Sequence, residues 1–241
     1  IRLLEQSIKF YRANLPKQHA SLLLGLNWKA ALLNGLGDHW QAEKSYLAAL
    51  DVATTYDSKN VNSITKSILH LADHYTIINQ PEKAERYFDN ALSRLPELEN
   101  DESSDQLRLE VYHKYISWRL GLANAASKIS RFEKDIKRII AKYPNDASAQ
   151  AQGNLLLMDI ALTNESFALA QVLINRYIVN IQALLSAYHK DSESGFESAY
   201  ESVKFQFALA DGYKTLSVIQ VLLNQGCLLY TSPSPRDATL S

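Results

Sequence analysis

The chain has 241 residues, 25 Lys and Arg against 26 Asp and Glu, and a formal net charge of −1; 46% of it is hydrophobic and 21% charged. That composition excludes a disordered or wholly membrane-embedded chain. The near-neutral charge removes the electrostatic footprint expected of a nucleic-acid binder, and the length allows one or two compact domains.

In chain order, the sequence opens on Ile1 inside an apolar-periodic segment, IRLLEQSIKFYRANLP. We read the chain as a piece that starts mid-protein, so the lack of a signal peptide carries no weight. Gly37-Asp38 marks a helix start, followed by WQAEKSYLAAL from Trp40 to Leu50. The stretch DVATTYDSKNVNSITK is expected to lengthen the flanking helices and their connection, and it leads into KSILHLADHY from Lys66. Asn79-Gln80-Pro81-Glu82 starts the next helix, with proline in the first turn and a carboxylate at the positive dipole end. That helix is PEKAERYFDNALSRLP. Ser104-Asp105 and Asn164-Glu165 read as further starts. Pro16, Pro81, Pro96 and Pro144 each sit at the edge of an apolar run, where proline stops or starts helices. Strand-like alternation is absent. The expected class is all-α.

The last string, CLLYTSPSPRDATLS from Cys227 to Ser241, holds the single Cys and has no periodicity. It resembles the translated sequencing-adapter tail at the ends of many environmental and transcriptome-derived reading frames; the plainer alternative is a natural Ser/Pro-rich disordered tail. Either way, residues 1–226 offer no thiol chemistry, and residues 227–241 are expected to make no packed contacts. No segment reads convincingly as a membrane span.

Two helices recur. WQAEKSYLAAL and PEKAERYFDNAL share the frame A-E-x-x-aromatic-x-x-A-L, with Ala42 and Ala84 lying 42 residues apart (84 − 42). KSILHLADHY and KFQFALADGY share Lys and Leu-Ala-Asp-x-Tyr at the same offset, 138 residues apart (204 − 66). Residues 68–96 resemble a tetratricopeptide repeat, through Ile68, Leu71, Ala72 and Tyr75 on a first helix and Ala84, Phe88, Ala91 and Pro96 on a second. Residues 26–50 resemble it less fully, through Leu26, Ala30, Leu33, Gly37, Ala42, Tyr46 and Ala49, with Lys29 and Thr54 departing from the pattern. Residues 107–190 fit poorly, although Tyr143-Pro144 could close a repeat there. The long spacing resembles the repeats of kinesin light chains and of the helical sensor region of maltose-type transcriptional activators. The resemblance implies a right-handed α-solenoid of stacked helix-turn-helix units with a concave face. Residues 1–18 would then be the C-terminal helix of an upstream repeat, 19–226 the repeat domain with a partial repeat at 195–226, and 227–241 the tail. Ala72, Ala84 and Ala91 would sit at close helix crossings.

In that family the concave face is lined by outward positions of each first helix. Carried over, these are Asn27, Ala31 and Asn34, then Lys66, Leu69, Asp73 and Thr76, and in the late copy Lys204, Phe207, Asp211 and Lys214. Recurrence of Lys66/Asp73 at Lys204/Asp211 suggests a ligand-facing rail; plain solvation of an exposed face is the other reading. The Lys and Asn set with which some family members clamp a terminal carboxylate is not supplied, and Asp73 would repel one.

Little else points to chemistry. His70 and His74 are spaced i, i+4, but Leu71 stands where a zincin needs Glu, no third ligand has readable spacing, and a solvated face explains the pair. Gly35-Leu36-Gly37 lacks the rest of a phosphate loop, and no nucleophile elbow appears. Asn164-Glu165-Ser166 is a glycosylation sequon of the kind chance supplies. Glu197 and Glu201 read as an exposed face that lacks the cleft acid–base work needs. The expectation is a non-enzymatic scaffold for a protein or peptide, binding mainly through polar and charged contacts. No metal, cofactor, small-molecule substrate, nucleic acid or membrane is expected within these residues, and a cytoplasmic setting is the working expectation. The alternative is a sensor or regulatory region of a larger signalling or transcription-regulating protein whose output domain lies elsewhere.

Overall fold

The computed structural model describes residues 1–231 apart from positions 16, 18 and 191–194; within its helices the side chains of 189–190, 195–201 and 225–231 are not described. Among the described residues every regular element is helical, so the all-α expectation holds. The chain divides into two compact units, Ile1–Trp118 and Arg119–Ser241.

In the first unit, α1 (Arg2–Ala13), α2 (His19–Gly35), α3 (His39–Tyr56), α4 (Val61–Ile77) and α5 (Pro81–Arg94) each pack on the helix before, and α2 also touches α4. A 3-10 turn, Leu95–Glu97, leads to α6 (Glu102–Arg119). Helix starts follow local chemistry. The Asp38 carboxylate accepts from the Gln41 N–H, Asn60 Oδ1 accepts from Ser63, and Pro81 opens α5. Each relieves or avoids an orphan N–H of the first turn. As expected, α3 and α4 are long, at 18 and 17 residues. Their connection, residues 57–60, is short.

The alanines explain the close packing. Ala30, Ala42, Ala49, Ala72, Ala84 and Ala91 are all fully buried, beside Leu26, Leu33, Tyr46, Ile68, Leu71, Tyr75 and Phe88. Every apolar slot singled out in residues 26–50 and 68–91 is therefore a core position, while Pro96 is exposed in the turn. Phe88 meets the rings of Tyr115 and Trp118 on α6 at 5.7 and 5.1 Å, and Tyr75 stacks on Tyr87 at 5.3 Å.

The α5–α6 connection overturns one expected start. The helix begins at Glu102, where the Asp101 carboxylate accepts from the Ser104 N–H at 2.7 Å. Ser104 and Asp105 lie buried one turn in. Asp105 is held there by Arg108 at 2.8 Å, whose guanidinium also donates to the carbonyls of Leu95, Leu98 and Glu99. A buried carboxylate is tolerable only with such a partner.

The second unit contains α7 (Ala125–Ile129), a 3-10 turn at Ser130–Phe132, α8 (Glu133–Lys142), α9 (Ala147–Thr163), α10 (Phe167–Lys190) and α11 (Gly195–Thr231). Successive helices from α8 onward pack on one another. Gly153 lets the Ile140 side chain lie where a Cβ would be. α10 is apolar and long enough to cross a membrane by length and composition, the test that a soluble core helix also passes. Asn164-Glu165 ends α9 and does not open α10: Asn164 is its C-cap, and Glu165 takes φ +56° before the helix resumes at Phe167.

That left-handed residue is one of a series. Gly37, Asn79, Asn124 and Glu165 all have positive φ, at intervals of 42, 45 and 41 residues (79 − 37, 124 − 79, 165 − 124). After α2, α4 and α9 the same two bonds close the turn. N–H groups of Asp38, Gln80 and Ser166 reach back five residues to Leu33, Tyr75 and Ala161 at 2.8–2.9 Å, and those of Gly37, Asn79 and Glu165 reach back three at 3.1 Å. This is a C-capping motif with αL backbone at its centre. A spacing of 41–45 residues thus reaches Asn124 and Glu165, in the stretch where the alanine slots do not align, and only Gly37 carries the glycine that flags such a turn.

The stretch 195–226, read from the sequence as a partial repeat, lies in the single long helix α11, whose backbone continues to Thr231, inside the tail singled out from the sequence. Residues 232–241, Pro16, and the side chains of Glu197 and Glu201 lie outside the described residues.

Candidate functional site

In the first unit α2 and α4 lie side by side, and a groove of about 680 Å³ runs between them, lined also by Asn60, Asn62 and Ser103. Asn27 and Ala31 on α2 and Lys66 on α4 line it, as the sequence places them. With them stand residues the sequence reading passed over: Leu23, Leu24 and Trp28 from α2, and Ser63, Ser67 and His70 from α4. The wall is more apolar than the polar lining expected. A signal for it was available. Leu24, Trp28 and Leu32 recur every four residues on α2, opposite the buried Leu22, Leu26, Ala30 and Leu33, and they stay 46–60% exposed. A helix apolar on all faces is ordinarily buried throughout; an exposed apolar stripe marks a contact surface.

Lys66 is the one charged side chain among the described lining residues. Burial pushes His70 below the ordinary histidine range, with Glu110 and Asp73 only partly offsetting it, so the ring is neutral at pH 7. The lining holds no carboxylate. Two lining residues carry a buried polar atom without a partner, Asn27 Oδ1 and Ser63 Oγ. Such atoms are uncommon because each forfeits hydrogen-bond energy that water supplied.

The other expected site residues of this unit serve the fold. Asn34 Oδ1 accepts from His74 Nδ1 at 2.9 Å and His39 Nδ1 at 3.1 Å, tying α2 to α3 and α4. Asp73 pairs with Lys114 of α6 at 2.8 Å and lies outside the groove lining, so its charge is already answered. Thr76 Oγ1 donates to the Ala72 carbonyl. Leu69 points inward and is 1% exposed, which corrects its placement on the concave face. The solvated-face reading of His70 and His74 also fails. His70 stacks on Tyr46 at 5.9 Å, and His74 is 1% exposed. Among the described residues no three His, Cys, Asp or Glu side chains converge as metal ligands would.

In the second unit Asp211, Lys214 and Phe207 are exposed on α11, and exposed Lys204 lies 5.9 Å from the Phe205 ring centre. Asp211 is near enough to Tyr177 to add to burial in raising that tyrosine's pKa. The structure describes this set as an exposed helix face.

No family model matches the chain, and no curated protein does. Among solved structures, the crystal structure of BtubC (BKLC) from P. vanneervenii is similar, with a TM-score of 0.61 at 16% identity, covering 97% of this chain and 92% of that one. At that identity the likeness concerns the fold, and it fits a helical repeat protein.

Proposed function

We propose that the chain is a non-enzymatic interaction scaffold of the tetratricopeptide type, a right-handed α-solenoid that binds a protein or peptide segment in the α2–α4 groove. The fold likeness, the recurring αL turns and the buried consensus slots support the repeat reading. In such an array first helices line one continuous face, suited to an extended or helical segment.

The observation that carries the binding role is the groove itself: an exposed apolar wall of Leu24 and Trp28 facing a single unanswered cation, Lys66. Trp28 offers a large apolar contact, and Lys66 favours a ligand carboxylate. A segment laid there could also bring donors toward the unsatisfied Asn27 oxygen. The test is selection from a displayed peptide library with the full chain, then titration of the winners by calorimetry. Trp28→Ala should weaken binding at least tenfold, Lys66→Glu should weaken it and flatten its salt dependence, and Lys204→Glu should do neither. Equal affinity of the parent and Trp28→Ala proteins would move the site away from this groove. Asp73→Lys is a poor probe because it also breaks the Lys114 pair.

A further inference from the structure

We infer that the two units respond to acid in opposite senses: a histidine cluster in the α2–α3–α4 core makes the first unit acid-labile, while a partly buried carboxylate on α9, with no partner among the described residues, makes the second unit tighten as pH falls. This concerns conformational stability and does not rest on the proposed binding role.

The first half begins with hydrogen-bond arithmetic. Asn34 Oδ1 can only accept, so the two imidazoles that meet it, His39 and His74, both carry their proton on Nδ1. The Nε2 of His74 is then a bare acceptor; it is buried and has no partner. A second proton would create a buried donor and charge in a site packed by Tyr46, Tyr75 and His39. Glu43 of α3 favours that charge, but its carboxylate already accepts from Tyr75 and sits 3.8 Å from Lys83, and Lys83 and His39 oppose the charge. Nearby, His70 stacks on Tyr46, facing Glu110 and Lys114 of α6 and Asp73 and Lys66 of its own helix. His113 on α6 has a buried Nδ1 without a partner and faces Lys114, Glu110 and Asp73. In all three, burial is the largest influence and lowers the pKa.

The second half rests on Asp159. It is partly buried on α9, flanked in sequence by the buried Leu156, Leu157, Met158 and Ile160, and no described donor or cation meets its carboxylate. The described residues of the helices packed on α9 (α7, α8 and α10) bring no charged group to it, and burial alone pushes its pKa up to about 7. Five of the six histidines, residues 19, 39, 70, 74 and 113, lie in the first unit.

The signs follow from proton linkage. A histidine with a lowered folded pKa stays neutral while the unfolded chain takes up a proton below about pH 6.5, so stability falls as pH drops through that value. Asp159, raised to about 7 from 3.8, binds its proton in the folded state first, so stability rises as pH falls from about 7 toward 4.

The test is hydrogen exchange read by mass spectrometry on the full chain at about pH 7.5 and 5.5, corrected for intrinsic exchange rates. Each untitrated histidine is worth up to about tenfold at one pH unit below its unfolded value. Protection of α2–α4 should therefore fall by about tenfold or more. Protection of α9 and α10 should rise by about tenfold. His74→Asn, which keeps a donor for Asn34 but cannot titrate, should shrink the fall, and Asp159→Asn should abolish the rise. A merely structural role would lower protection without changing its pH profile. Protection changing in the same direction in both units, or unchanged in α2–α4, overturns the inference. Should His74→Asn not fold, the NMR titration of His74 in the parent protein decides, and a midpoint at or above the ordinary histidine value overturns it.

Discussion

Helices α4 and α11 carry the same string, Lys followed by Leu-Ala-Asp-x-Tyr, and the fold treats the two copies differently. On α4, Leu69, Leu71, Ala72 and Tyr75 are all at most 3% exposed. On α11 the matching Phe207 and Tyr213 are 73% and 47% exposed, and Ala210 is exposed too. The difference lies in the neighbours. α4 packs against α2, α3 and α5, and α6 reaches it through the Lys114–Asp73 pair, whereas the described contacts of α11 are with α10. α11 turns Gly212 and Ile219 toward that partner, and Gly212 sits against Tyr177 and Ile178. A repeat motif therefore records which residues can be buried between helices. Whether they are buried depends on how many helices arrive.

The sharpest way to break that comparison is to delete the matched leucine in each copy. Leu71→Ala empties a fully buried site and should cost about 2–5 kcal/mol. Leu209→Ala removes a partly exposed side chain and should cost no more than about 1 kcal/mol. The measurement is convenient because all three tryptophans, residues 28, 40 and 118, lie in the first unit. Urea melts followed by tryptophan fluorescence report that unit, and circular dichroism reports both. Equal costs at the two sites would mean that α11 is covered as fully as α4.

The comparison also shows what sequence can carry. The helix class, the burial of Ala42, Ala84 and Ala91, and the starts at Asp38 and Pro81 were legible because each depends on a side chain with a distinctive size or bond. The turns at Asn79, Asn124 and Glu165 were not, because asparagine visits αL only occasionally and glutamate rarely, so neither marks such a turn as Gly37 does. Of the groove lining, Asn27, Ala31 and Lys66 are residues that repeat position had already singled out. Asn34 and Asp73 lie outside that lining, and their polar groups answer His39, His74 and Lys114, which lie 5, 40 and 41 residues away, mostly beyond any local pattern. Trp28 and Leu24 fall outside the repeat slots from which the lining was carried over.

A smaller effect separates the alanines. Ala72→Leu and Ala84→Leu push extra methylenes into fully packed positions and should each cost about 1–3 kcal/mol through overpacking. Ala210→Leu, on the open face of α11, should stay within about 0.5 kcal/mol, as should Glu82→Ala on the exposed start of α5. A neutral Ala84→Leu would show that α4 and α5 have room to separate, and the close-crossing account of that alanine would fail.

The smallest effect bears on the paired aspartates. Asp73 meets Lys114 at 2.8 Å with both side chains 36% exposed, so solvent screens the pair and its worth is about 0.2–1 kcal/mol. Asp73→Asn should therefore lower first-unit stability by that small amount at low salt and by almost nothing at high salt, where the Debye length falls to about 3 Å at 1 M. Asp211 has no described ion pair, and Asp211→Asn should leave stability unchanged within error while removing the charge that helps raise Tyr177. Tyr177 should then titrate at lower pH than in the parent, readable by ultraviolet absorbance. The two aspartates share a sequence slot, but one answers a neighbouring helix and the other faces water. A salt-insensitive Asp73→Asn cost as large as a buried pair's, about 3–5 kcal/mol, would mean that α6 closes over that pair more tightly than its exposure allows.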